Sequence, residues 1–541
     1  MIRSIATNTV ASDTLIKVAC SGHHATTVHS RWSWLLYASL VGTVLVASMS
    51  HWLSAVHSQL SQAAITSTAI ERGADGRNLA NLDLATWSLE QWGMGNLVIV
   101  QFTLMCLCML VAWYSVHAYQ QKGQQKTQQN ASFAASITRA SWLILAAGIL
   151  ARIVLLGVEP YTSNDVDRYL FDGRIALTGL DPYQISHDDP ALVELRAIWQ
   201  PPAEHAAYPT LYPPLSLALF SIAASVGIDH AQWLWQFMLT CASIASLWLM
   251  FLLLKAHNKL VHLPLIALSP IVIIETGAAL HVDAFSTLAI VAALYCWQRN
   301  KLVLTGICIG LGVLTKILPL VLLMPLVFAN FSLRRAITLV ASAIVTISLG
   351  YAITLALGLY PVGSIGVFFE KWRFAAPLFS LLTSLGTQAF IAALAGVTLS
   401  LIAIVGYLAS RQQANAQKSV ANNEQTQLSN DLVSACQLAL FIPLFISPVL
   451  FPWYLMPLAA LVALKPNLAL LLILGVMPFT YEVLDQFVCC QIWQPAQWPV
   501  NLLAGAYLFA LLSLIYAGVT RWKKQTITEG ELSSPQKRFS C

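Results

Sequence analysis

Residues 141–174 read SWLILAAGILARIVLLGVEPYTSNDVDRYLFDGR. The first part is an apolar run of membrane-spanning character. The second, from Ser163 to Arg174, is polar and brings together Asp165, Asp167, Arg168, Asp172 and Arg174. Similar apolar runs recur along the chain, from residues 32–53 to 501–519, giving about a dozen or more crossings at ~20 residues each. Of the 541 residues 57% are hydrophobic and only 10% are charged, against about 25% charged in an ordinary soluble domain. A water-facing surface cannot readily be built from so few charges. No series of short segments alternates apolar and polar residues as an outer-membrane barrel requires. The expected fold class is therefore all-α: a polytopic transmembrane helical bundle in a lipid bilayer.

Positive charges set the expected orientation. The segment from Tyr119 to Ala140 holds Lys122, Lys126 and Arg139 and no acid, and is expected in the cytoplasm. So are Arg299 with Lys301, Arg334 with Arg335, Arg411 with Lys418, Lys465, and the tail with Arg521, Lys523 and Lys524. The segment 159–210 then falls on the outer side, and it carries nine of the chain's 24 acids. Two cytoplasmic loops flank the single run 302–329, so this run is expected to be two short passes broken at TKILP, with Lys316 on the outer side. A lysine at the membrane centre costs about 2.5–3.5 kcal/mol. One of the runs 211–227, 231–254 and 260–275 is expected not to cross fully. The first 31 residues are polar and lack an apolar core, so the first span is expected to insert uncleaved.

The domain reading has six parts: a cytoplasmic tail (1–31), a two-span N-terminal addition (32–139), a catalytic transmembrane module (140–409), a polar cytoplasmic linker (410–431), C-terminal helices (432–520) and a cytoplasmic tail (521–541). The Gln-rich stretch QQKGQQKTQQN and the segment from Arg411 to Asp431 read as low-complexity loops. The ten cysteines show no zinc or redox spacing. The net charge of +5 comes without a basic cluster interleaved with aromatics, so no nucleic-acid partner is expected.

Carboxylates just outside a span can take a proton from a hydroxyl or hold a divalent cation that screens a phosphate. On a non-helical segment, Asp165 and Asp167 could approach one cation or one sugar. The string DVDRYLFDGRIAL also reads as an amphipathic surface helix, with Asp165 as its N-cap and Asp172 and Arg174 as a pair along it. HDDP, at 187–190, suits a solvated turn. Tyr212-Pro213-Pro214 is a rigid start to a span. Lys316 could snorkel to the interface, and Trp453 and Tyr454 suit an interfacial belt or a lipid-tail contact.

SNDVDRYLFDGRIALTGLDPY resembles the first external loop of GT-C superfamily glycosyltransferases, of the bacterial polyprenyl-phosphate-mannose and GPI-mannosyltransferase-like kind. Further matching elements follow in order: TLYPPLS with Tyr212, LSPIVIIETGAALHVDAF with His281 and Asp283, LTKILPLVLLMPL with Lys316, and SPVLFPWYLMPL with Trp453 and Tyr454. The resemblance covers about residues 140–465. Asn164 stands where an acid is common, and Asp167 stands where an aromatic is common.

The resemblance implies a GT-C-type bundle with short juxtamembrane helices in its first large external loop. It implies inverting transfer of a hexose, most plausibly mannose, from a polyprenyl-phosphate donor to a hydroxyl of a glycan or lipid acceptor. The reaction would take place on the outer, periplasmic face of the inner membrane, metal-independent or assisted by Mg or Mn held by Asp165 and Asp167. Asp165 would be the general base, with Asp167 a replacement acid. Arg168, Asp172, Arg174, Tyr212, His281, Asp283, Lys316 and Arg373 would bind substrate. Of these, Lys316, Arg174 and Arg373 would be the cations facing the leaving phosphate. Two rivals share these features, a flippase for lipid-linked sugars and a ligase for lipid-linked glycans. The first should show paired halves with broken helices at matching positions; the second, large external loops or an added soluble domain.

Overall fold

The computed structural model describes residues 32–62, 93–124, 130–329, 332–384, 388–419, 428–490 and 492–513. The tails 1–31 and 521–541 and the linker residues 420–427 lie outside them. Regular structure among the described residues is helical, with one isolated bridge between Phe374 and Val449. The helices that frame the site are α1 (Trp32–Gln62), α2 (Met94–Gln124), α3 (Asn130–Ile153), α4 (Asp165–Leu177), α5 (Pro214–Ala224), α6 (Ile228–Ala256), α7 (Pro270–Gly277), α8 (Asp283–Gln298), α9 (Leu302–Thr315), α10 (Leu333–Ala356), α11 (Ala389–Ser419), α12 (Asn430–Ile446), α13 (Met456–Leu464) and α14 (Val483–Cys490).

Six described stretches are long and apolar enough to cross a membrane, among them α1, α6 and α10. The outer and inner layers of the bundle differ in sequence. α10 exposes Ile337, Ile344, Val345, Leu349 and Ile353, an apolar face that suits hydrocarbon and not water. α13 is apolar all round and every one of its residues is buried, as a helix at the centre of a bundle must be. α7, α8 and α13 form this centre, with α6 and α9 packed on α8.

The apolar run that opened the sequence analysis carries one charge, Arg152, and its burial is compensated by hydrogen bonding. Arg152 is 1% exposed. Its guanidinium donates to Ser243 Oγ, to the carbonyl of Gly148, and to the carbonyls of Ile266 and Ala267 at the end of the short helix Pro264–Ala267. A cation at the carbonyl end of a helix meets its negative pole. Arg152 thus ties α3 to the chain just before the Ser269-Pro270 break.

Of the runs 211–227, 231–254 and 260–275, the first forms only α5, which is too short to cross a bilayer by itself. Its eleven residues rise about 16 Å at 1.5 Å each, roughly half the hydrocarbon thickness. The run 302–329 is interrupted where the sequence placed the break. α9 ends at Thr315, Lys316 is extended (φ −158°, ψ 142°), and a 3₁₀ turn starts at Leu318. The expected loop from Arg411 is corrected: α11 continues to Ser419 and α12 starts at Asn430. Ala, Gln and Lys in RQQANAQKS are good helix formers, and low hydrophobicity alone does not end a helix. The Gln-rich stretch after α2 is likewise helical as far as Gln124.

α4 covers the predicted string DVDRYLFDGRIAL. Asp165 and Asp167 sit in its first turn and Arg174 in its last, complementing the helix dipole. Val166, Tyr169, Leu170 and Gly173 recur at helical spacing and are buried. Gly173 allows the close crossing with α5, because a Cβ there would lie 2.4 Å from the Phe220 carbonyl carbon. The Tyr169 ring stacks on Phe220 at 4.7 Å, and Phe220 meets Trp235 of α6 edge-on at 5.2 Å.

Candidate active site

Three interrupted segments meet at the first turn of α4. They are the gap between α7 and α8, the break at Lys316, and the turn 447–455 that precedes α13. Non-helical backbone at membrane depth persists only where protein buries it or where it lines a cavity. The first gap is held from α6. The Trp235 indole donates to the Leu280 carbonyl, and the Gln236 amide donates to the carbonyls of Leu155, Val158 and Gly277. Leu280 has φ +61°, a conformation that costs a non-glycine residue about 1–3 kcal/mol and clusters at functional sites.

Asp165 stands at the centre of this junction, its side chain 21% exposed. It does not cap its helix: the N-cap position is Asn164, and no side chain caps there. Its carboxylate instead accepts from the Tyr169 hydroxyl at 3.3 Å, with His281 Nδ1 at 3.6 Å and His205 Nε2 at 4.0 Å. Burial pushes the Asp165 carboxyl above its usual range, and Arg168, the Tyr169 hydroxyl and Lys316 oppose that shift. His205 is pushed down to about 3 by burial and by Arg168, so it is neutral at pH 7 and contributes no charge. Arg168 is 4% exposed and donates to the Pro209 carbonyl.

Behind Asp165 a second layer fixes His281. Its ring lies flat on Trp453 at 3.7 Å, and its Nε2 is 3.6 Å from Glu275, which accepts from the Tyr481 hydroxyl at 2.7 Å. Trp453 is 5% exposed, so it is a support for His281 and not an interfacial belt residue. Beside them Lys316 donates to both oxygens of Asp283 at 2.6 and 2.8 Å and sits 3.8 Å above the Tyr454 ring. Tyr212 meets Tyr169 edge-on at 5.0 Å. Sequence reasoning thus named Asp165, Arg168, Tyr212, His281, Asp283 and Lys316, and the structure brings them together.

Other expected residues lie elsewhere. Asp167 is two positions from Asp165 on a helix, so the two side chains leave about 200° apart. Asp167 faces Glu159 and Glu204, which with burial push its carboxyl up to about 6. The extended pair that would share one cation is not formed, because the segment is helical from Asp165. Asp172 does not pair with Arg174: it is fully buried and bonded at 2.7 Å to His187, itself fully buried rather than in a solvated turn. Asp189 caps the short helix at 190–192. Arg174 lies 6.0 Å from the Trp199 ring, and exposed Arg373 donates to the carbonyls of Phe369 and Trp372.

Tyr169, His205, Glu275 and Tyr481 were not selected as site residues from sequence. Tyr169 was legible in principle, one helical turn from Asp165. Glu275 shares a short turn with His281 and Asp283, whereas His205 and Tyr481 arrive from segments 40 and 316 positions from Asp165, with no local signal.

The sequence profile of the MptA/B family, described as alpha-(1→6)-mannopyranosyltransferase, N-terminal domain, matches residues 58–332, just over half of the chain. No curated protein and no solved structure matches.

Proposed function

Since this chain belongs to the MptA/B family of alpha-(1→6)-mannopyranosyltransferases, we propose that it transfers mannose from a polyprenyl-phosphate donor to the 6-hydroxyl of a glycan acceptor, at the outer face of a cell membrane and with inversion. It is a mannose-transferring enzyme by family; the donor, the linkage, the face and the residue roles are the proposal. The observation that carries it is the half-shielded Asp165 carboxylate, oriented by Tyr169 and His281 at the junction of three interrupted segments.

The acceptor oxygen attacks C1 of the mannosyl phosphate. The C1–O bond to phosphate breaks, its electron pair leaves on the lipid phosphate, and the hydroxyl proton passes to Asp165. An α product formed with inversion requires a β-linked donor. The proton leaves late in such a displacement, so a carboxylate of only modestly raised affinity suffices. His281 Nδ1, 3.6 Å from the carboxylate and beside the Tyr169 hydroxyl, is placed to accept from Asp165 once it is protonated. Lys316 and Arg168 supply the positive charge for the departing phosphate. A cation between Asp165 and Asp167 does not fit their geometry, because the two side chains leave α4 in different directions.

A lipid-phosphate donor explains why the site opens where interrupted spans meet: the phosphate reaches the charged layer while the polyprenyl chain stays among apolar helices. The test is to supply purified protein with labelled polyprenyl-phosphate mannose or with GDP-mannose. Transfer from the lipid donor alone supports the proposal, and transfer from the nucleotide sugar alone refutes it.

A further inference from the structure

A cavity of about 370 Å³ lies on the Asp167 flank of α4. Its lining includes the polar residues Glu159, Asn164, Asp167 and Gln232 and the aromatic residues Phe487 and Trp493. Its size is at the lower end of the ~300–1,000 Å³ typical of small-molecule sites.

Its chemistry selects the occupant. Among the described residues no lysine or arginine lines it and two carboxylates do, a lining that disfavours an anion such as the donor phosphate. Asn164 donates to Glu204 at 2.7 Å and Gln232 to Glu159 at 2.6 Å, which holds these amides and acids in place. No side-chain donor among the described residues reaches the Asp167 carboxylate, though it is half-buried. The carboxylate is not sealed from solvent, and a ligand hydroxyl can donate to it in place of water. Phe487 and Trp493, also in the lining, meet edge-on at 5.1 Å. A hydroxyl-rich edge facing acids and amides, with a C–H face against aromatic rings, is the amphipathic pattern of a pyranose.

We propose that this cavity is an acceptor subsite, holding a neutral sugar residue of the glycan one or more units back from the hydroxyl that reacts at Asp165. The inference rests on the glycosyl-transfer reading above. The subsite lies at the first turn of α4, and a glycan seated on Asp167 would pass around the end of the helix at Asn164 to reach Asp165 on its other side. His57 and Ser61, at the end of α1, also line it. The N-terminal helix therefore takes part in acceptor selection, although the sequence set it apart as an addition.

The test uses the full chain with α-(1→6)-linked manno-oligosaccharides of increasing length. Binding is measured by calorimetry without donor, and transfer is measured as separate KM values for acceptor and donor. Wild type should bind a tetrasaccharide more tightly than mannose. Trp493→Ala and Gln232→Ala should each reduce that gain about tenfold, the loss of ~1.4 kcal/mol, and leave the donor KM unchanged. Because Trp493 also packs on Phe374, the half-buried Gln232 supplies the variant least prone to misfolding. Absence of a length-dependent gain in wild-type binding, or a rise in donor KM with no change for acceptor, overturns the subsite. Oligosaccharide binding without transfer from any lipid-phosphate mannose would instead keep the subsite and defeat the functional reading.

Discussion

The Lys316–Asp283 pair offers a test in which stability and catalysis separate. Asp283 is 2% exposed and receives both of its hydrogen bonds at 2.6 and 2.8 Å from Lys316, whose own side chain is 23% exposed. Lys316→Met strands a buried carboxylate, which costs about 3–5 kcal/mol. Asp283→Asn costs less, because the ammonium keeps the Tyr454 ring at 3.8 Å and some contact with solvent. The double variant removes both charges and should be more stable than Lys316→Met alone. The cycle should therefore show a coupling of roughly 2 kcal/mol or more between the two positions. The assay is thermal unfolding in detergent on the four proteins, beside transfer of labelled mannose. Stability should recover in the double variant and transfer should not, since Lys316 is assigned to the leaving phosphate. Strictly additive stability losses would refute the coupled pair. Recovery of transfer would reduce Lys316 to a structural residue.

Three further outcomes follow from the same geometry. Gly173→Ala should cost about 1–3 kcal/mol by overpacking, read as a lower unfolding temperature, because a Cβ would collide with the backbone of Phe220. The Asp167 carboxyl, raised to about 6 by burial and by Glu159 and Glu204, binds its proton more tightly folded than unfolded. Its charge therefore opposes folding above that value. Asp167→Asn should be more stable than wild type at pH 7, by on the order of 1–2 kcal/mol after screening, with the advantage gone below about pH 4. Glu275→Gln keeps an oxygen acceptor for Tyr481 but puts an amide nitrogen in place of the second carboxyl oxygen beside His281. It should lower kcat about tenfold with both KM values held; a change in KM alone would place Glu275 in binding.

Local pattern made part of this molecule legible. The helical spacing of Val166, Tyr169, Leu170 and Gly173 set the register of α4, and charge parity across 302–329 located the break at Lys316. Asp283, His281 and Glu275 were readable as neighbours because they share one short turn. What sequence could not give were partners fixed by packing alone. Asp172 looked ready to pair with Arg174 on its own helix, but His187 reaches it from a segment that reads as a solvated turn. Trp453 read as an interfacial aromatic or a lipid-tail contact, but the fold buries it against His281. Asp165 and Asp167 suggested a metal pair only if the segment were extended, and the helix separates them. The acids also do not all lie in one loop: Glu275 and Asp283 are buried among the interrupted helices, a trait expected of the transporter rival, which family membership displaces.

The most direct measurement is the turnover of Asp165→Asn with a polyprenyl-phosphate mannose donor. The amide keeps the volume and can still accept from Tyr169, so folding and donor KM should hold while kcat falls about 10²–10⁴-fold, the span of general-base catalysis. Turnover within a few-fold of wild type in both Asp165→Asn and Asp165→Ala would contradict the account.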